Sequence, residues 1–384
     1  MLQKPGFEEG VNKTRFLHTA DWQLGLRRHF LGEEALPRYR QARIDAIRTM
    51  AALARDRECE FAVVCGDVFE SNQIDAQTLT RTAAALGDFP CPVFLLPGNH
   101  DPLDAGSIYR SARLRDHPRA RVLETCEPVE VRPGLEVVGV PWHTRRPGRD
   151  LVAEACAALA PAAPGTLRVC VAHGNTGVAG EHDDPALIRL ADAEQALAAG
   201  KIHYLALGDR HSVTKIHDRI WYSGSPEPTS YRETEPGYVL VVELDEGACD
   251  VQRHAVARWR FVERSFSLTG EADLATLAEW IDGLPDKDRT VLKLRLRGAL
   301  GLADRAALEA RLADAGTLFA AVERRTQDLL TAPGEDDFAA LDLSGFARDA
   351  LDVLTRLAQG QDAQAPVARD ALALLYRLVQ GEAR

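Results

Sequence analysis

Five short apolar, β-prone runs in this chain each end in a polar cluster, and that repetition constrains the fold more than any other feature. Val93-Phe94-Leu95 runs into Leu96-Pro97-Gly98-Asn99-His100-Asp101. The other clusters are Asp21-Trp22-Gln23, Gly66-Asp67, His173-Gly174-Asn175 and Gly208-Asp209-Arg210-His211. Glycine permits a tight turn, asparagine offers a neutral oxygen ligand, and His100 with Asp101 offers an acid/base and a carboxylate to orient it. One such cluster is compatible with an ordinary polar turn. Five of them, each closing a buried strand, are expected to converge on one sheet edge, since ligand sites in open α/β sheets gather at the carboxyl ends of strands.

The rest of the pattern agrees with an α/β layer structure from Arg15 to about Leu244. Strands are predicted at Arg15–Thr19, Phe61–Cys65, Val93–Leu96, Glu136–Val140, Arg168–Ala172, Tyr204–Leu207, Ile220–Tyr222 and Tyr238–Leu244. Helices are predicted at Arg38–Ala54, where Ile44, Ile47, Met50 and Leu53 share a face, at Ala76–Leu86, and from Ala153 toward a Pro/Gly break near Gly165. Beyond Arg260 the pattern changes to a small α+β module. It has strands at Phe261–Leu268, Thr290–Arg297 and Leu318–Arg324, and helices at Glu271–Leu284 and Ala303–Ala315. In its second strand Leu292, Leu294 and Leu296 alternate with Lys293, Arg295 and Arg297, which predicts a basic outer face. Apolar spacing from Ser344 to Val379, broken at Gly360–Pro366, predicts a helical hairpin that packs on its own domain or docks a partner. The expected divisions are a polar N-terminal extension (1–14), a catalytic domain (15–260), a cap (261–331), a linker (332–343) and the hairpin (344–384).

A chain of 384 residues has room for two or three domains and a large core. Met1–Asn12 carries no apolar signal-peptide region, and no apolar run approaches the ~18 residues needed to span a bilayer. The 7 cysteines include no C-x-x-C pair, and Cys65 and Cys170 lie in predicted strands, so reduced core thiols of a cytoplasmic protein are expected. The net charge of −11 argues against nucleic acid. Two features soften that objection: carboxylates that hold cations count as negative in the formal sum, and basic residues cluster at Arg27-Arg28-His29, Arg145-Arg146 and Lys293–Arg297. Charge leaves the substrate class open.

Hydrolysis of a phosphate ester needs the phosphoryl charge neutralised, a nucleophile generated near neutral pH and the leaving oxygen stabilised. Two divalent ions about 3.5–4 Å apart meet all three needs, given one bridging carboxylate and several further ligands per ion. Asp67 is the expected bridge. Asp21, Gln23 and His211 would complete one ion, and Asn99, His173 and Asp209 the other.

The five clusters together resemble the five motifs of calcineurin-like metallophosphoesterases. Within that superfamily, His18-Thr19-Ala20-Asp21-Trp22-Gln23-Leu24-Gly25 resembles the opening of SbcD-like double-strand-break repair nucleases. Leu205–His211 and Tyr222-Ser223-Gly224-Ser225-Pro226 are similar to that family's late motifs. The resemblance implies a β-sandwich flanked by helices, with a DNA-contacting α+β cap and a C-terminal hairpin. It implies a metal-dependent DNA exonuclease or endonuclease acting at ends in repair. It also implies an SbcC-like SMC-type coiled-coil ATPase partner and a homodimer. His100 would protonate the leaving oxygen or steady the scissile phosphate.

Two positions depart from the family pattern, which has histidine where this chain has Gln23 and Asp209. Exchanging imidazoles for an amide and a carboxylate hardens the ligand set, favouring Mn²⁺, with Mg²⁺ as the alternative, over zinc. Asp101 is expected to orient His100 through a hydrogen bond. Arg210 and His143 are candidates for substrate contact, whereas His18, His29, His117, His182, His203, His217 and His254 read as surface or packing residues. Two other functions stay open: a small-molecule phosphodiesterase or phosphatase on the same fold, and a catalytically weakened subunit that binds DNA ends.

Overall fold

The structure is a computed structural model that describes residues 12–177, 186–331, 345–360 and 364–379. Most of the expected N-terminal extension, His182, the expected linker and residues 380–384 lie outside the described residues. The chain divides into two compact units, Met1–Arg28 with Leu36–Trp259, and His29–Ala35 with Arg260–Arg384.

In the first unit the strands are β1 (Thr14–Thr19), β2 (Phe61–Val64), β3 (Val93–Leu95), β4 (Ala120–Val122), β5 (Val129–Arg132), β6 (Leu135–Gly139), β7 (Leu167–His173), β8 (Tyr204–Gly208), β9 (Thr214–His217), β10 (Ile220–Tyr222), β11 (Tyr238–Leu244) and β12 (Cys249–Ala255). They form two six-stranded sheets, ordered β12-β11-β1-β2-β3-β4 and β5-β6-β7-β8-β10-β9. The expectation of one sheet edge is therefore corrected: the polar clusters follow β1, β2 and β3 of one sheet and β7 and β8 of the other. Within each set the strands run parallel, so all five clusters lie at carboxyl ends.

Burial on both faces explains why these strands read as unbroken apolar runs. Phe16, Phe61, Val63 and Phe94 of the first sheet meet Val137, Val169, Tyr204 and Ala206 of the second in a core between the sheets. The opposite face of the first sheet, through Leu17, Ala62 and Val64, packs under helices α1 (Ala35–Asp56) and α2 (Ala76–Leu86). Following the short helix α3 (Ala112–Arg115), helices α4 (Leu151–Ala158) and α5 (Leu190–Ala198) cover the outer face of the second sheet. The strands that sequence reading missed, β4, β5, β9 and β12, lie at or next to sheet edges. β9 and β12 alternate between exposed and half-buried residues, so no apolar run announces them.

The second unit carries a three-stranded parallel sheet of β13 (Arg260–Leu268), β14 (Thr290–Leu300) and β15 (Ala321–Thr331). Its two crossovers contain α6 (Glu271–Gly283) and α7 (Leu302–Leu318), and both helices bury the face bearing Leu292, Leu294 and Leu296. The alternation in β14 leaves Lys293, Arg295 and Arg297 on the other face, where Glu263 pairs with Lys293 and Arg295. The expected third strand starts late, because Leu318 still belongs to α7. Helices α8 (Phe346–Ala358) and α9 (Ala365–Val379) form the predicted hairpin. Leu351, Ala358, Ala368 and Leu372 pack with Leu302 of α7, so part of the apolar stripe is consumed within its own unit. Phe346 (87%) and Val367 (68%) stay exposed.

Candidate metal centre

Four of the five clusters leave their strands through a turn at positive φ, which most residues avoid. Six non-glycine residues have positive φ among those described, and four of them are Asp21 (53°), Gln23 (41°), Asp67 (51°) and Asp209 (97°). Such conformations cost free energy and persist only where surrounding contacts over-determine them. Here the contacts are backbone hydrogen bonds between clusters: Asp21 N to Gly66 O at 3.1 Å and Gln23 N to Asp67 O at 2.9 Å. Glycine makes room for the approach. A Cβ on Gly66, itself at φ 86°, would lie 2.1 Å from His173 Nδ1, and one on Gly98 would lie 2.3 Å from Asp67 Oδ1.

The turns assemble two lobes around Asp67. In one, His173 Nε2 lies 2.7 Å from Asn99 Oδ1, 3.5 Å from Asp67 Oδ1 and 3.7 Å from Asp209 Oδ1. In the other, His211 Nε2 lies 3.2 Å from the Gln23 side-chain amide and 3.9 Å from Asp21 Oδ1. The amide's oxygen and nitrogen are interchangeable by a flip. Asp21, Asp67 and His173 each offer a ligand atom within 4.8 Å of the others, and all three are buried. The backbone N–H of Asp209 donates to the Asp21 carboxylate, which ties the lobes together.

Both imidazoles are held at Nδ1 and present Nε2 to the centre. His173 Nδ1 meets Cys65 O at 2.8 Å. His211 Nδ1 meets Thr229 Oγ1 and Glu233 Oε1, each at 2.8 Å. Such partners select the tautomer whose Nε2 lone pair is free for a cation. The charges point the same way. Burial pushes the Asp21 carboxyl up to about 7, against the pull of His211 and His173. Burial would lower His173, yet the Asp67, Asp209 and Asp21 carboxylates raise it to about 9. Three carboxylates packed around buried imidazoles call for positive charge, and the mixed oxygen and nitrogen donor set fits divalent cations.

One expected contact is corrected. Asp101 does not orient His100. It is fully buried and accepts hydrogen bonds from Gly98 N (2.8 Å), Phe69 N (2.9 Å) and the Tyr109 hydroxyl (2.6 Å), so it shapes the loop rather than the imidazole. His100 is held by Glu70, whose carbonyl oxygen is 3.1 Å from Nδ1, with Oε1 at 3.9 Å. His100 N donates to Asp67 Oδ1 at 3.0 Å, and its Nε2 faces Asp67 Oδ2 at 3.9 Å. Glu70 and Glu233 are thus the residues that sequence reading missed. Glu70 follows Asp67 by one short turn and was findable, whereas nothing local marks Glu233.

His143 is exposed, next to Trp142, whose indole donates to His173 O at 2.8 Å. Arg210 is half-buried, and its Nε has no hydrogen-bond partner. His18 proves to be a packing residue, lying between the Tyr204 hydroxyl and Leu207 O, with its pKa lowered by burial to about 3.

The model of the calcineurin-like phosphoesterase family matches residues 14–213. The DNA double-strand break repair protein Mre11 of Haloferax volcanii is 26% identical over 324 residues, covering 80% of this chain and 67% of that protein. Among solved structures, purple acid phosphatase PPD1 from yellow lupin (Lupinus luteus) is 11% identical with a TM-score of 0.41, covering 65% of this chain and 52% of its own. A dimetal phosphatase from Danio rerio is 11% identical with a TM-score of 0.38, covering 63% and 99%.

Proposed function

Since the chain belongs to the calcineurin-like phosphoesterase family and is a metallophosphoesterase, we propose that it hydrolyses phosphodiester bonds of DNA, at ends, as a repair nuclease with two Mn²⁺ ions. The observation that carries this reading is the length of the Mre11 likeness. At 80% of the chain it is longer than the whole first unit, which carries the centre, and so takes in residues that phosphoester chemistry alone does not need. The basic face of β14 supports it, because phosphate backbones are bound through such residues.

In this reading Asp67, Asn99, His173 and Asp209 would hold one ion, and Asp67, Asp21, Gln23 and His211 the other. The ions, when bound, neutralise phosphoryl charge and lower the pKa of water. The chain's own residues do the rest. Glu70 fixes the ring of His100, so Nε2 is presented beside Asp67 to donate a proton to the leaving oxygen. Arg210, between Asp209 and His211 in sequence, and His143 are the proposed phosphate contacts. An SbcC-like coiled-coil ATPase is the proposed partner, with the exposed Phe346 and Val367 as a docking surface. A homodimer is proposed as the working form, with light scattering as its check. The net charge of −11 favours the second reading, a small-diester phosphodiesterase.

The two readings separate in one assay. With Mn²⁺, the wild type is expected to shorten end-labelled duplex DNA and to spare the DNA when chelated. Cleavage of small diesters with DNA left intact would favour the second reading and overturn the first.

The two departures from the family pattern make a sharper prediction. A neutral amide at Gln23 should hold its ion weakly, and the Asp209 carboxylate should hold its own firmly. One ion is therefore expected to survive purification, the other to need millimolar Mn²⁺. Gln23→His should tighten the weak ion, and Asp209→Ala should lose the firm one together with activity. Calorimetric Mn²⁺ titration of the three proteins checks this; two equal sites in wild type would refute the assignment.

A further inference from the structure

Arg43, on α1, touches none of the candidate ligands, yet it joins the two pieces of chain that carry one lobe of the centre. It is 2% exposed. Its Nη1 donates to the carbonyl of Trp22, at 2.9 Å, and Trp22 is the residue between Asp21 and Gln23. Its Nη2 donates to the carbonyl of Pro228 at 2.9 Å and reaches that of Glu227 at 3.4 Å. The Tyr39 hydroxyl accepts from the same nitrogen at 2.6 Å and donates to Pro228 O at 2.7 Å, while the guanidinium lies 4.8 Å from the centre of the Tyr39 ring.

The loop 225–229 is in turn bound to His211 through its two ends. The Thr229 hydroxyl meets His211 Nδ1, and Ser225 N donates to His211 O at 3.1 Å. The loop is anchored on its far side, where the buried Glu227 carboxylate accepts from Arg258 N (2.9 Å) and Trp259 N (3.1 Å). Arg28 Nε holds Thr229 O at 2.8 Å. A buried guanidinium is costly unless its donors are satisfied. Here both Nη groups are met by carbonyls of two separate chain segments, one of them the strained turn with Asp21 and Gln23 at positive φ, and Nε has no hydrogen-bond partner. The planar fork fixes the angle between its donors, so it fixes the separation of the carbonyls that accept from it.

We propose that Arg43 is a positioning residue for the metal centre, setting the spacing between the Asp21–Gln23 turn and the Glu227–Thr229 loop that holds His211. The inference rests on the two-ion reading above. It deepens that reading by placing control of one ion's affinity in a residue that is not a ligand. A lysine cannot replace it: one ammonium lacks the fork that spans two segments. Loss of the fork lets the turn and the loop drift independently. The ion between Asp21, Gln23 and His211 weakens, and the ion at Asn99, His173 and Asp209 is untouched.

The test follows Mn²⁺ binding itself, by electron paramagnetic resonance of the free ion during titration of the full chain. Arg43→Lys and Arg43→Met are compared with wild type and with Arg168→Met. Arg168 is another buried arginine, and its partners, Glu136, Ala160 O and Lys201 O, lie outside the centre. Both Arg43 variants should raise the half-saturation concentration of the weaker ion about tenfold or more, the scale of lost supporting contacts at metal sites. The tighter ion should be unchanged, and so should both ions in Arg168→Met. Melting with chelator reports folding, and if Arg43→Met does not fold, Arg43→Lys decides. Wild-type binding of both ions by Arg43→Lys overturns the proposal, as does an equal loss in Arg168→Met. Absence of a second ion in wild type overturns the two-ion reading instead, and this inference with it.

Discussion

Asp67→Asn is expected to abolish Mn²⁺-dependent hydrolysis of bis-p-nitrophenyl phosphate while leaving the melting temperature of the chelated protein close to wild type. Asp67 lies where the two lobes meet. Its Oδ1 is 3.5 Å from His173 Nε2, and a common group of ligand atoms joins it to Asp21. Removing its charge should take away most of the affinity for both ions and the several kcal/mol of transition-state charge stabilisation they supply. That corresponds to a loss on the order of 10³-fold or more. Asparagine is the informative substitute because it tolerates the left-handed backbone at φ 51° and still offers an oxygen to His100 N. Asp67→Ala should lose activity equally but also some stability, since it lacks that acceptor. Turnover within a few-fold of wild type in Asp67→Asn, with its metal retained, would remove Asp67 from the centre.

His100→Asn should separate chemistry from metal binding. The imidazole is held at Nδ1 by the Glu70 carbonyl, and its Nε2 lies 3.9 Å from Asp67 Oδ2, so it borders the centre without belonging to the tight ligand group. A residue that delivers a proton or steadies a phosphate contributes roughly 10²–10⁴-fold to rate. Turnover is expected to fall by that amount while metal content, measured by atomic emission on the same samples, stays at the wild-type value. Metal lost in step with activity would make His100 a ligand. Undiminished turnover would leave Glu70 and His100 as parts of the loop's architecture.

The sequence alone determined which residues end the strands and which donor types they bring. That information is local: an apolar run buried on both faces, then a carboxylate, amide or imidazole, beside a glycine in four of the five clusters. Helix α2 and strands β10 and β11 were readable to the residue for the same reason, as was the alternation of leucine with basic residues in β14. The tertiary structure decided the rest. Two sheets, not one, bring the clusters together, and in the first of them β11 returns to pair with β1 across the length of the first unit. Which nitrogen each imidazole presents is set by Cys65 O for His173, Glu233 for His211 and Glu70 for His100. Asp101 adjoins His100 in sequence but is turned away by Gly98 N, Phe69 N and Tyr109, so adjacency pointed to the wrong partner. Arg43 stands on a helix face that periodicity reads only as interior. Hydrogen bonds between distant segments leave no periodic or compositional trace, because each partner's local preferences are satisfied equally well without the other; only the folded chain selects which of them meet.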